Sequence, residues 1–163
     1  MHVIKLEVMG ETNIPELQDL LMKCSDYLTF QDGKPVEKDA AKDLLLTKPD
    51  AVSFDDKIVF GIYMSDNHSL IGVIDIIMRY AGPDILSLGL LVIEPSCRGK
   101  GIGENTHKLL EAWAGVNNFS RIRLGVLFDN DKGLSFWQRI GYKETGEVKP
   151  YHSHTFRVME KPI

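Results

Sequence analysis

The stretch with the most chemistry in it is Arg98-Gly99-Lys100-Gly101-Ile102-Gly103, which follows an apolar run and Pro95 and leads straight into a helical pattern. A glycine-rich turn at a helix N-terminus aims several backbone N–H groups at one point, where the helix dipole adds positive potential. Glycines permit positive φ and close backbone approach, and the charges of Arg98 and Lys100 suit phosphate. The turn therefore reads as an anion site. No Ser or Thr follows a Gly-Lys pair, as a triphosphate-binding loop requires. Glu104 stands where a dinucleotide fingerprint has its last glycine, and several strand-like segments precede the turn, which suits that fold poorly. A glycine-rich helix cap that holds nothing also accounts for the turn taken alone.

Three other places could carry chemistry. Asp75 lies among Ile74, Ile76 and Ile77 in a strand pattern. Partial burial would raise its pKa unless it is paired; as an outward residue of an alternating strand it would simply be solvated. Tyr151, His152 and His154 sit in a polar, aromatic stretch near the C-terminus. The two histidines have no acidic or cysteine partner close in sequence, so no metal is expected. Cys97 adjoins the glycine turn and is either a reactive thiol or an inert one.

The elements that must position these residues are legible from periodicity. Residues 2–8 alternate and read as a strand. Asn13 caps a helix with Pro15 in its first turn and apolar positions at Leu17, Leu20, Leu21 and Cys24. The polar segment 31–35 breaks the chain, and residues 36–46 read as a second helix. Strands follow at 58–64, 69–80 and 85–93, joined by short turns. The helix after the glycine turn places Ile102, Thr106, Leu109, Leu110, Trp113 and Val116 on one face. A strand at 121–128 precedes a short helix at 131–140, capped by Asn130 and closed by Gly141. Strands at 142–148 and 155–160 complete the chain. The order βααβββαβαββ sets a strand–helix–strand unit inside an antiparallel meander and predicts an α+β domain, a mixed sheet with helices on its faces.

Composition agrees. With 163 residues, 44% hydrophobic and 26% charged, the chain fits one ordinary globular domain. A net charge of −4 disfavours nucleic acid as a partner and suits a cationic substrate, although solubility alone explains it. Two cysteines make no disulfide framework, and no apolar stretch reaches the ~18 residues that span a bilayer. A cytoplasmic protein without membrane partners is expected, as a homodimer by base rates.

The chain resembles the GNAT N-acyltransferase superfamily. Arg98, Gly101 and Gly103 fill its Arg/Gln-x-x-Gly-x-Gly/Ala signature, with Pro95 in a familiar place. Asn130, Phe136, Gly141 and Tyr142 fit a second signature, an asparagine after the fifth strand and a short helix ending in Gly-aromatic. The resemblance covers nearly the whole chain and implies one domain over residues 1–163. It also implies a mostly antiparallel sheet of six to seven strands with about four helices. It implies a bulged fourth strand splayed from the fifth, with acetyl-CoA as co-substrate. The backbone of Leu91, Val92 and Ile93 would bind the pantetheine amides. Arg98, Gly99, Lys100, Gly101, Ile102 and Gly103 would hold the pyrophosphate, and Asn130 and Phe136 would lie beside the pantetheine. Asn130 as a cap and Phe136 as core are the plainer alternatives.

Direct attack of a neutral primary amine on the thioester is the expected reaction, with positioning and a backbone N–H near Ile93 supplying much of the rate. Asp75 and Tyr151 are the candidate catalytic residues. Glu94 reads as surface, and Ser87 and Gly89 occupy fourth-strand places where some family members carry an acid. Trp137 stands where the family often has a proton-donating tyrosine, and an indole supplies no proton. Tyr142, Tyr151 or water could replace it, or the thiolate could leave unprotonated, which its ordinary pKa of about 8.5 permits. A CoA-binding regulatory module without transfer activity is the main alternative, and a structural protein with a mere cap the third. Acceptor choice is expected to lie in residues 29–38 and the last hairpin.

Overall fold

The computed structural model of the protein describes residues 3–163. Seven strands form one sheet in the order β1-β2-β3-β4-β5-β7-β6. They are β1 (Ile4–Val8), β2 (Lys57–Met64), β3 (Leu70–Met78), β4 (Ile85–Ile93), β5 (Arg121–Leu127), β6 (Lys143–Tyr151) and β7 (His154–Pro162). Every pair is antiparallel except β4–β5. The helices are α1 (Ile14–Lys23), α2 (Ser25–Asp32), α3 (Ala40–Leu46), α4 (Ile102–Val116) and α5 (Asp131–Arg139). The fold is thus the mixed, mostly antiparallel α+β sheet expected. His2, the start of the first predicted strand, lies outside the described residues. Among the described residues no helix is long and apolar enough to cross a membrane.

Alternation along the strands sends side chains to two cores. On one face Phe60, Ile62, Ile74, Ile76, Leu86, Leu88, Ile122 and Leu124 pack against Ile102, Leu110 and Ala114 of α4, with Leu134 and Trp137 of α5 alongside. On the other, Val59, Val73 and Val92 pack under Leu17, Leu20, Leu21, Leu28 and Ala41 of α1–α3. The second cluster takes no residue from β5, β6 or β7. That half of the sheet is left open beside α2.

Three helix readings are corrected. The predicted first helix is two helices, because the chain turns at Cys24 (φ −93°, ψ 17°). Both are short: α1 buries Leu17, Leu20 and Leu21, and α2 buries Leu28 in the same cluster. The helix predicted from residue 36 starts only at Ala40. On α4 the buried face is Ile102, Thr106, His107, Leu110 and Ala114, whereas Leu109 is 39% and Val116 83% exposed. The apolar residues at 109 and 116 drew the predicted stripe one position too far round. His107 belongs to the core because its ring is hydrogen-bonded at both ends.

Candidate active site

The parallel ladder between β4 and β5 stops at Leu88↔Leu124. The cause is local. Asp75 of β3 faces Leu90 while Ile76 faces Leu88, so Gly89 is an extra residue that bulges β4. A bulge bends its strand and strengthens the twist. β4 turns away, and β5 continues along β7 to Leu127↔Phe156. Among the described residues no strand lies against the β5-side edge of β4 beyond Leu88. A groove of about 980 Å³ fills the wedge, lined by Leu90, Leu91, Val92 and Ile93 on one side and Asn130, Gly133, Phe136 and Trp137 on the other.

At the wide end of the wedge lies the glycine turn. Gly99 and Gly101 have φ of +73° and +79°, a left-handed conformation that glycine adopts without cost. A Cβ built on either would meet nothing within 4 Å, so both face open space. The amide of Arg98 is satisfied by the Pro95 carbonyl. Those of residues 99–104 find no acceptor among the described residues. Consecutive unpaired amides at the start of a 15-residue helix form a concave anion cradle.

The arginine of the turn is used differently from the expectation. Its Nε donates to the Ile93 carbonyl at 2.7 Å, and its two terminal nitrogens fork onto the Asp26 carboxylate at 2.6 and 3.1 Å. Arg98 thus ties the turn to β4 and α2, and the Ile93 carbonyl is already occupied. Ile102 is buried, so only its backbone faces the cradle. Lys100 is exposed, and among the described residues it has no ion-pair partner. Asn130 caps α5 by accepting from the Gly133 amide at 2.9 Å. A side chain at Gly133 would strike that cap. Phe136 lies 3.5 Å from the Cβ position of Gly103 and seats α5 against α4. Both residues still line the groove.

A second groove, of about 740 Å³, opens on the uncovered half of the sheet between α2 and the β6–β7 hairpin. Tyr27, Tyr80, Tyr151 and Phe156 form aromatic walls, with Arg123, Glu147 and Lys149 among its charged residues. Each charge is matched: Arg123 pairs with Glu147 and Glu160, and Lys149 with Glu147. Gly125 gives the Phe156 ring room to lie flat on β5, since a Cβ there would sit 2.4 Å from it. The predicted polar hairpin tip therefore does form one wall, and α2 forms another.

The candidate catalytic residues separate. Tyr151 lines the second groove and donates to Asp32 Oδ1 at 3.0 Å. Burial, with the Asp32 carboxylate, pushes its hydroxyl up to about 12, so it is a donor rather than a base at neutral pH. Asp75 lines neither groove. It pairs with Lys57 Nζ at 2.7 Å, while its Oδ2 lies 3.4 Å from the Cβ position of Gly89. Burial raises its carboxyl, and Lys57 opposes that without overturning it. Tyr142 lines neither groove: its hydroxyl meets His107 Nε2 at 2.7 Å in the core, and burial raises it strongly. Glu94 accepts from Ser96 at 2.5 Å and pairs with Lys23. Cys97 sits beside it, its thiol donating to the same carboxylate at 3.4 Å and raised by burial. His152 and His154 gather no third ligand; among the described residues no group of three metal-ligating side chains forms.

Asp26 and Tyr27 carry no motif in the sequence, and Gln31 is foreseen only as one of residues 29–38. Their spacing, with Phe30, is one face of a helix, and that was the available signal.

Comparison with known proteins finds similar chains. Over 102 residues the chain is 28% identical to the uncharacterized N-acetyltransferase YobR of Bacillus subtilis, covering 63% of the chain and 37% of that protein. The chain thus matches little more than a third of that relative's length. Among solved structures, an acetyltransferase from Thermus thermophilus superposes with a TM-score of 0.78 at 20% identity over all of both chains. Spermidine N-acetyltransferase from Vibrio cholerae, solved with CoA and spermine, gives 0.77 at 16% identity over 98% of this chain and 95% of that one. These show a shared fold. The family described as acetyltransferase (GNAT) matches residues 15–142, from α1 through α5, and the chain belongs to that family.

Proposed function

We propose that the protein transfers an acetyl group from acetyl-CoA to a primary amine by direct attack. The observation that carries this reading is the run of unpaired amides at residues 99–104, at the wide end of a wedge that exposes a strand edge. A diphosphate matches the cradle in charge, and an amide-bearing pantetheine arm matches the edge of β4 in hydrogen-bonding pattern. The wedge narrows to Gly89, where the second groove begins and can bring an amine. Two substrates held side by side gain much of their rate from position alone. Spermidine N-acetyltransferase of the same fold binds CoA, which supports the donor assignment. The second groove, with its charges internally matched, supports an amine with an apolar body as readily as a polycation. A soluble, cytoplasmic enzyme that needs no metal is the setting this reading takes.

The test has two parts. Acetyl-CoA at 100 times its Kd should stabilise the fold by about 2.7 kcal/mol, read as a rise in melting temperature. Free thiol should then appear with at least one acceptor among spermidine, tyramine, lysine and an alanine-initiated peptide. Gly101→Trp, which forces a side chain into a left-handed position at the cradle, should abolish the shift. An equal shift in the variant would remove the diphosphate from this turn. Trp137 in the groove, where a proton donor is usual, gives a second reading: a CoA-binding module without transfer. Thermal stabilisation with no thiol release from any acceptor would establish it.

A further inference from the structure

The two grooves meet at six residues: Tyr27, Gln31, Leu88, Gly89, Leu124 and Gly125. On the acyl-transfer reading, on which this inference rests, thioester and amine react there. Gln31 offers an amide, which does not titrate, and four of the others are apolar or glycine. Tyr27 alone brings a transferable proton to the junction. Its ring packs on the core beneath α1–α3, so α2 holds it in place. Among the described residues its hydroxyl has no hydrogen-bond partner. The hydroxyls of Tyr63, Tyr142 and Tyr151 are committed to Glu16, His107 and Asp32. Tyr80 is also without one, but it is 55% exposed and lines the second groove only. Burial, aided by the Asp32 carboxylate, raises the Tyr27 phenol above its ordinary value, so it is protonated at neutral pH.

We propose that Tyr27 of α2 is the proton donor to the leaving CoA sulfur, replacing an acid on α5, where Trp137 has no proton to give. The amine nitrogen forms a bond to the carbonyl carbon, and the carbonyl π pair moves to oxygen. When that pair returns, the C–S bond breaks and the sulfur takes the Tyr27 proton. The surplus proton on nitrogen passes to water in the second groove, and water returns one to the phenolate. The products are the N-acetyl amine and CoA thiol. Burial between Leu88 and Leu124 raises the proton affinity of a thiolate as it raises that of the phenol, so the two stay matched.

The test uses Tyr27→Phe, which keeps the ring and removes the hydroxyl. Acetyl-CoA is compared with its selenoester analogue, whose selenolate is far less basic and leaves without a proton. The acceptor is whichever amine of the panel above the wild type turns over fastest. With the thioester, kcat should fall roughly 100-fold, while stabilisation by CoA and KM for acetyl-CoA stay unchanged. With the selenoester the loss should shrink to about threefold or less, because no proton transfer remains to be lost. Equal losses with both donors would reduce Tyr27 to a wall of the groove, and no loss with the thioester would overturn the proposal outright. If the wild type releases CoA with no acceptor, the acyl-transfer reading itself falls, and this inference with it.

Discussion

Asp75 and Lys57 form an ion pair with side chains only 16% and 3% exposed. Such a pair adds little to stability as a whole, yet removing one partner strands the other in low dielectric. Asp75→Asn should therefore lower the unfolding free energy by about 3 kcal/mol, measured by denaturant titration. Adding Lys57→Met should recover most of that loss, because the stranded ammonium is gone. Activity should return with stability in the double variant. A double variant that is stable but still inactive would show that Asp75, beneath the Gly89 bulge, handles a proton from the amine. Tyr151 is tested with the opposite logic: Tyr151→Phe keeps the aromatic wall and frees Asp32. It should raise KM for the amine a few-fold and leave kcat nearly unchanged, as for an interaction made equally with substrate and transition state.

At the scale of elements, α4 carries a chain of partners that runs from the core to the surface. His107 Nδ1 lies 3.0 Å from Glu111, Nε2 lies 2.7 Å from the Tyr142 hydroxyl, and Lys161 closes on Glu111 from β7. These partners assign the neutral tautomer with the proton on Nδ1, donated to the carboxylate, and the phenol donating to Nε2. Burial pushes His107 down from 6.5 to about 4, with Lys161 acting the same way and Glu111 opposing. The sign follows from a depressed value in a base. As pH falls below 6.5 the unfolded chain takes a proton that the folded one refuses, so stability declines down to about pH 4. The decline should reach about 3 kcal/mol, and His107→Gln should flatten it, compared as denaturant midpoints at pH 7 and pH 4.5. The network ties α4 to Tyr142 and to β7, and the rings of His107 and Tyr142 pack edge-on against Trp137 of α5.

Across the whole molecule, the anion cradle and the acceptor groove belong to different layers. The cradle sits between β4 and α4, and the groove lies under α2 on the other face. The fork from Arg98 to Asp26 joins them. Exposed pairs of this kind contribute about 1 kcal/mol or less. Asp26→Ala should thus leave melting nearly unchanged while loosening the cradle, raising KM for acetyl-CoA about two- to fivefold. A KM that does not move would show that the turn is rigid without its tie to α2.

The local rules of the chain settled the parts that depend on near neighbours. Residues 85–93 are an apolar run of strand length and residues 102–116 repeat near 3.6, and they form β4 and α4 with the bounds expected. The glycines at 99, 101 and 103, with Asn130 and Gly141 as caps, marked the cradle and α5 because backbone conformation there is fixed by residue type. Tertiary structure decided the rest. Nothing near Gly89 in the chain says that it is a bulge, since bulging is a mismatch with β3 that exists only once the strands pair. Arg98 reads as a phosphate ligand until α2, seventy-two residues earlier in sequence, brings Asp26 to it. Tyr27 gains its place because α1, α2 and α3 cover one half of the sheet and α2 borders the open half, leaving one hydroxyl where two grooves meet. Contacts between residues far apart in sequence leave no mark on local periodicity, and this site is built from such contacts.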